Sequence, residues 1–158
     1  MNQQYTSANT SINSTKLPIS TKHINWDKYR GKNILDIGGG KFNNLRDYLK
    51  KEYNINLYVY DKYNRSKEEN IKALSCNPSC VICNNVLNVI CEDMVLQSLI
   101  DLIEVFNVDY YVSVYEGNKS SIGRETKPNC YQRNMRSKEY LPLFKDAKIK
   151  YNIISNCY

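Results

Sequence analysis

Residues 34–40 read Ile-Leu-Asp-Ile-Gly-Gly-Gly, a short apolar run that stops at three consecutive glycines. This pattern is typical of a buried strand that ends in a tight turn, because glycine accepts backbone angles that other residues avoid. Directly after the turn, Phe42, Leu45 and Leu49 recur at helical spacing. They predict an amphipathic helix over residues 42–53, so that a strand, a glycine turn and a helix follow in immediate succession.

The same two patterns alternate through the rest of the chain. Apolar runs predict further strands over residues 55–60, 79–83, 109–115 and 149–155. Helical spacing predicts helices over residues 66–74, 92–106 and 137–146. Ser66 and Glu69 form a capping-box pattern at the start of the first of these helices, and Pro142 is expected to kink or shorten the last. Residues 116–136 show neither periodicity.

Strands that alternate with helices are typical of βαβ units. They predict an α/β fold with a mostly parallel sheet of about five strands and helices on both faces. Residues 1–24 are rich in Ser, Thr and Asn, and we interpret them as a polar N-terminal arm. Residues 25–158 then form a single domain.

Polar or glycine-rich segments follow four of the predicted strands. These segments are residues 38–40, Asp61, residues 84–87 and residues 115–116. Ligands of open parallel sheets bind at the carboxyl ends of the strands. The sequence therefore predicts that all four segments lie along one rim and form a ligand site.

Composition limits the class of protein. The chain has 158 residues, of which 42% are hydrophobic and 24% are charged, and this favours one soluble globular domain over collagen-like or disordered classes. No apolar run approaches the roughly 18 residues of a membrane helix, and no export signal is evident, so we expect a cytoplasmic location without a membrane partner. The formal net charge of +6 is compatible with phosphate-bearing partners and equally with an ordinary basic protein.

Three of the cysteines lie close together in the sequence. Cys76, Cys80 and Cys83 have the spacing with which some enzymes hold an iron–sulfur cluster. Cys80 and Cys83, however, fall in a predicted strand, where an odd separation directs side chains to opposite faces. We therefore predict reduced, buried packing thiols and no metal site.

The chemistry of the glycine turn favours one kind of ligand. Asp61 ends the second strand, 25 positions after Asp36, and its carboxylate can accept hydrogen bonds from ribose hydroxyls. Asp36, just before the glycines, suits an ammonium group better than a diphosphate. Asn43 stands where the dinucleotide pattern needs glycine, which weakens an NAD site. An adenosine joined to an amino acid, as in S-adenosylmethionine (SAM), satisfies both carboxylates.

These segments resemble a known family. The first motif of class I SAM-dependent methyltransferases is similar to residues 35–41, Leu-Asp-Ile-Gly-Gly-Gly-Lys, and the second to residues 58–61, Tyr-Val-Tyr-Asp. A later motif is similar to residues 83–90, Cys-Asn-Asn-Val-Leu-Asn-Val-Ile. Small methyltransferase-like proteins of phages and plasmids resemble the chain more closely. Their motifs match these segments in order and continue into residues 114–117, Val-Tyr-Glu-Gly.

The resemblance implies a reduced Rossmann-like class I methyltransferase fold, because the interval from Asp61 to Ser79 is too short for the usual third strand. It implies a SAM-dependent methyltransferase of mobile-element type, acting in the host cytoplasm if a phage encodes it. The cofactor-binding residues implied are Asp36, Gly38, Gly39, Gly40, Asp61, Lys62, Asn84 and Leu87. The catalytic residues implied are Asn84, Asn85 and Tyr115.

The methyl acceptor and the oligomeric state stay open, with nucleic acid as one candidate acceptor. Basic and aromatic side chains near the aperiodic stretch are the predicted acceptor-binding residues: Tyr115, Glu116, Lys119, Arg124 and Arg133. The motifs by which many DNA methyltransferases hold a target base are missing from the sequence. Two alternatives are a non-catalytic SAM-fold module that binds nucleic acid or a host protein, and an NAD-linked reductase.

Overall fold

The computed structural model describes residues 2–9 and 15–158, within which strands and helices alternate along the chain. The strands are β1 (Asn33–Ile37), β2 (Asn56–Tyr60), β3 (Cys80–Asn84), β4 (Asp109–Ser113), β5 (Arg124–Lys127), β6 (Cys130–Gln132), β7 (Lys148–Lys150) and β8 (Ile153–Ser155). The α-helices are α1 (Asn44–Tyr53), α2 (Lys67–Leu74), α3 (Asp93–Val105) and α4 (Ser137–Tyr140). Short 3-10 helices span Ile19–His23, Trp26–Tyr29, Leu87–Val89 and Leu141–Leu143.

Six strands form the main sheet in the order β2-β1-β3-β4-β8-β7. The strands β2, β1, β3 and β4 run parallel, and β8 and β7 complete the sheet with antiparallel pairings. The predicted α/β class and mostly parallel sheet are therefore confirmed, with six strands where about five were expected. None of the helices in the described residues has the length and apolar character that a membrane crossing requires.

The helices lie on both faces, as predicted, and the chain direction explains which face each covers. The chain moves from β1 outward to β2, then crosses back past β1 to β3 and continues to β4. Because parallel crossovers are right-handed, this reversal puts α1 on one face and α2 and α3 on the other. One core accordingly joins α1 to the sheet through Leu45 and Leu49. The second joins α3 to it through Leu96 and Ile100.

The two cysteines of β3 lie on opposite faces of the sheet, as predicted. Cys80 packs in the core that contains Ile34, and Cys83 packs in the core that contains Leu35. Burial raises the pKa of both thiols. Cys80 and Cys83 are therefore packing groups that cannot grip one cluster together.

The C-terminal part of the chain differs from the prediction of one strand over residues 149–155. It forms two strands, β7 and β8, which pair as an antiparallel hairpin. The turn between them is Tyr151-Asn152, with φ of 54° and 57°. Positive φ at both central residues is the geometry that the twist of a tight hairpin requires. The turn was not predicted because residues 149–155 contain neither glycine nor proline.

The stretch over residues 116–136, which showed no periodicity, holds a hairpin formed by β5 and β6. All four residues of β5 are exposed, so its sequence carries no alternation of apolar and polar side chains. The hairpin stands apart from the main sheet as a separate two-stranded sheet. Of the predicted acceptor-binding residues, Arg124 therefore lies in β5, and Arg133 directly follows β6.

Helix ends follow local chemistry. Ser66 and Glu69 form the predicted capping box, with Glu69 N donating to Ser66 Oγ at 3.2 Å and Ser66 N donating to Glu69 Oε2 at 2.9 Å. The last helix is shorter than the predicted residues 137–146. It ends at Tyr140 and continues as a 3-10 turn that contains Pro142, whose ring disfavours a helix interior.

Candidate functional site

A cleft of about 590 Å³ opens at the carboxyl ends of β1, β2 and β3. The strand order reverses at β1, since β2 lies on one side of it and β3 on the other. This reversal is the position at which open α/β sheets bind ligands, and the volume suits a small molecule. Predicted cofactor residues that line the cleft are Asp36, Gly38, Gly39, Gly40, Asp61, Lys62 and Asn84, together with the predicted catalytic residue Asn85.

The glycine turn fits closely against its neighbours. Gly38 has φ of +77°, and a Cβ there would overlap the side chain of Val86. A Cβ on Gly39 would overlap the Asp36 carboxylate. Gly40 has φ of +73° and meets nothing within 4 Å at its Cβ position, so this part of the backbone faces open space. A ligand can therefore approach the backbone at Gly40.

Asp36 carries a buried carboxylate in the lining of the cleft. Its residue is 5% exposed, and no described residue donates a hydrogen bond to its side chain. Burial, together with the charge of Asp61, raises the pKa of Asp36 to about 7, although Arg65 acts in the opposite direction. A buried carboxylate that lacks a partner and lines a cleft is suited to a ligand cation.

Asp61 shapes the loops around the cleft. Its Oδ2 accepts a hydrogen bond from Gly40 N at 2.9 Å. Its Oδ1 accepts from the backbone N atoms of Tyr63 and Asn64 at 3.0 Å each, and from Asn64 Nδ2 at 3.1 Å. Because each carboxylate oxygen has two lone pairs, Oδ2 retains capacity for one more donor.

Arg65 clamps the glycine turn, a role that the sequence analysis did not assign. Its side chain is only 7% exposed. Nε donates to Gly40 O at 2.7 Å, and Nη2 donates to Phe42 O at 3.0 Å. Arg65 lies four positions after Asp61, which ends the second motif, and this proximity was the one available signal.

Asn84 is held by two hydroxyls. Its Oδ1 accepts from Ser20 Oγ at 2.6 Å and from Ser113 Oγ at 2.7 Å. These bonds fix the amide, and its NH2 group has no acceptor among the described residues. Asn85 is exposed and has φ of 59°, with its backbone N donating to Ser113 O at 2.9 Å. Leu87 does not line the cleft, because it is fully buried in the core beneath it.

Residues of the N-terminal arm form one wall of the cleft. The residues concerned are Thr6, Ser7 and Ala8, and Lys16, Leu17, Pro18 and Ile19. Ser7 Oγ donates to Val89 O at 3.1 Å, and Thr6 N donates to Asn129 Oδ1 at 2.9 Å. The polar composition of the arm gave no sign of these contacts, since they join backbone and small polar groups far apart in sequence.

The five predicted acceptor-binding residues lie outside the lining of the cleft. Tyr115 and Arg124 are exposed, and Glu116 accepts a hydrogen bond from Ser137 N at 2.8 Å and pairs with Lys119 at 3.7 Å. Arg133 is 9% exposed, and Nη2 donates to Cys91 O at 3.0 Å and to Asp93 Oδ1 at 2.8 Å. Arg133 thus holds the loop behind the cleft wall.

No protein-family model matches the chain, and no curated protein sequence matches it. Within residues 2–9 and 15–158, no group of three or more His, Cys, Asp or Glu side chains is placed to hold a metal ion. The cleft offers a ligand the Asp36 carboxylate, to which no described residue donates, a lone pair on Asp61 Oδ2, the NH2 group of Asn84 and open space beside the backbone of Gly40.

Proposed function

We propose that the protein binds SAM in this cleft and transfers its methyl group to an acceptor. The observation that carries the proposal is the buried Asp36 carboxylate, which faces a cleft at the strand reversal and lacks a donor among the described residues. A ligand that brings an ammonium group supplies the missing partner. SAM is such a ligand, and it also carries ribose hydroxyls and a purine.

The residues present fit the parts of SAM. Asp36 would bind the ammonium group, and the open backbone at Gly40 allows the amino-acid part to approach closely. Oδ2 of Asp61 can accept a hydrogen bond from a ribose hydroxyl. Val86, Val95 and Leu99 give the cleft an apolar surface of the kind that purines contact.

When bound, SAM supplies a methyl group on a positively charged sulfur. Transfer to a nucleophile depends mainly on alignment of the two reacting atoms, which the protein provides by holding both. Asn84 is suited to orient an acceptor, because its oxygen is fixed by Ser20 and Ser113 and its NH2 group stays available. A proton displaced from an N–H or O–H acceptor would pass to solvent.

The same geometry argues against a dinucleotide. A pyrophosphate needs free backbone N–H groups at the glycine turn. Here Gly40 N already donates to Asp61 and Gly38 N donates to Tyr60 O at 2.6 Å. The adjacent Asp36 carboxylate would also repel a diphosphate.

Calorimetric titration tests the cofactor assignment. We expect SAM and S-adenosylhomocysteine to bind at pH 7.5, and ATP and NAD to bind far more weakly. Asp36→Asn should weaken SAM binding, because the amide cannot balance the ammonium charge. Asp47→Asn, on the exposed face of α1, is the matched control. Absence of SAM binding to the folded wild-type protein would overturn the proposal.

The pH dependence of binding provides a second test of the proposed contact between Asp36 and the ammonium group of SAM. The pKa of Asp36 is raised to about 7, so the ligand-free protein gains a proton there below that pH. Affinity for SAM should therefore fall between pH 7.5 and pH 5.5 in the wild type and change less in Asp36→Asn. Equal pH dependence in both proteins would contradict the role of Asp36.

A second candidate is a module that binds SAM without transferring the methyl group. It is favoured by the positions of Tyr115 and Arg124, which lie outside the cleft lining while the N-terminal arm forms one wall. Labelled SAM incubated with the protein and a cell extract separates the two functions. Transfer of label to nucleic acid, protein or a small molecule supports the enzyme, and binding without transfer supports the module.

A further inference from the structure

A second groove, of about 340 Å³, follows the edge strand β2 and is separate from the proposed SAM function. Its floor consists of residues 55–59. One rim comes from α1, and the other comes from α2 and from Arg65, which precedes α2. The charged rim residues are Arg46, Asp47 and Lys50 on one side and Arg65, Glu69 and Lys72 on the other. The groove is thus a slot that has a strand at its base and helices on both sides.

The backbone of β2 presents unpaired groups to this groove. Asn56 N donates to Lys32 O at 3.0 Å, and Tyr60 O accepts from Gly38 N at 2.6 Å, so these residues face β1. In a parallel strand the N–H and C=O of one residue point the same way, and neighbouring residues alternate. Leu57 and Val59 therefore direct their N–H and C=O groups outward, where no described residue bonds to them.

The two edge strands of the main sheet differ in charge. The edge strand β7 carries Lys148 and Lys150, both exposed, and charged side chains of this kind discourage edge-to-edge pairing. The edge strand β2 reads Asn-Leu-Tyr-Val-Tyr and has no charged residue. Aromatic and β-branched residues at such an edge favour pairing with another strand.

The charge of the rims specifies the chemistry of the occupant. The rims carry four cationic and two anionic side chains. Arg46 pairs with Asp47 at 3.3 Å and Arg65 pairs with Glu69 at 3.4 Å. Lys50 and Lys72, one on each rim, have no carboxylate partner among the described residues. A second copy placed edge to edge would bring these cations together, whereas an acidic segment would be attracted to both rims.

We propose that this groove binds an extended acidic segment of a partner protein, which adds to the sheet as a strand beside β2. Backbone hydrogen bonds to Leu57 and Val59 supply the affinity, and the cationic rims select acidic side chains. The floor of the groove, residues 55–59, is as long as about five residues of extended chain.

Amide hydrogen exchange followed by NMR tests the proposal. The probe is a capped peptide of about six residues that alternates glutamate and valine. We expect it to slow exchange at the outward amides of Leu57 and Val59. A peptide that alternates lysine and valine should bind much more weakly. The acidic peptide with methylated backbone nitrogens should also lose binding, because it lacks the N–H donors.

Two double variants with the same change in net charge distinguish an effect of the rim lysines from an effect of the overall charge of the protein. Lys50→Glu with Lys72→Glu should weaken binding of the acidic peptide by roughly tenfold. Lys51→Glu with Lys67→Glu, exposed residues on the same helices but outside the groove lining, should leave it nearly unchanged. Thermal unfolding verifies that both variants fold.

Three results would overturn the proposal. One is equal affinity for the acidic and basic peptides, and another is equal weakening by the two double variants. The third is protection of Leu57 and Val59 that appears without peptide and grows with protein concentration, since this would assign the edge to a second copy of the chain.

Discussion

Replacing Asp36 by asparagine should raise the stability of the ligand-free protein at neutral and alkaline pH. The wild-type carboxylate is 5% exposed and receives no hydrogen bond from a described residue. Its ionised form is therefore poorly compensated in the folded protein, whereas in the unfolded chain water solvates it fully. Asparagine fills nearly the same volume and carries no charge, so it removes this unfavourable contribution.

The size of the effect follows from the pKa. Asp36 has a pKa of about 7 in the folded protein against 3.8 as its ordinary value, a difference that corresponds to about 4 kcal/mol. Between pH 4 and pH 7 the unfolded chain has lost this proton and the folded protein retains it. The free energy of unfolding therefore falls as the pH rises through this interval, and the full loss is present above pH 7.

Chemical denaturation from pH 4 to pH 8 measures the effect. Asp36→Asn should lack the fall in the free energy of unfolding. In a thermal melt at pH 8 its midpoint should lie roughly 10 °C above that of the wild type. Asp47→Asn, an exposed change on α1, should follow the wild type at every pH. Parallel pH profiles for the wild type and Asp36→Asn would refute the reasoning, because another group would then have to account for the fall.

Three further substitutions test the packing around the cleft. Arg65→Lys should weaken SAM binding and lower the free energy of unfolding by about 1–3 kcal/mol, because a lysine ammonium does not reproduce the planar fork with which the guanidinium bonds two loop carbonyls. Unchanged calorimetric titrations would contradict the clamp. Gly39→Ala should destabilise by about 1–3 kcal/mol in urea, since its Cβ overlaps the Asp36 carboxylate; an unchanged urea midpoint would contradict the close packing of the glycine turn. Arg133→Lys should lower the melting temperature while its effect on SAM affinity stays small; a native melting temperature would exclude its structural role.

The sheet and the rim could be predicted because they depend on short-range patterns. Apolar runs that end at Gly38 or Asn84 indicate buried strands, and the parallel direction brings their ends together whatever the helices contain. The capping box at Ser66 is equally local. The two β3 cysteines could be assigned to opposite faces because strand alternation requires only counting.

Contacts between distant polar groups could not be predicted. The bonds from Arg65 to the glycine turn join residues 25 positions apart in sequence, and no periodicity marks them. The exposed strand β5 lacks the alternation that reveals a half-buried strand. The arm was recognised by composition alone, yet Ser7 is 5% exposed and contacts Val89. Such contacts depend on three-dimensional proximity that a linear pattern does not contain.

The bond between Thr6 and Asn129 forms late during translation, after the parallel strands have been synthesised. These residues are separated by 123 positions, so this bond can form only after residue 129 has left the ribosome. The parallel strands need only residues that emerge earlier, and chains generally fold from the N-terminus as they are made. A nascent chain therefore acquires the glycine turn and both carboxylates before the bond between Thr6 and Asn129 can form.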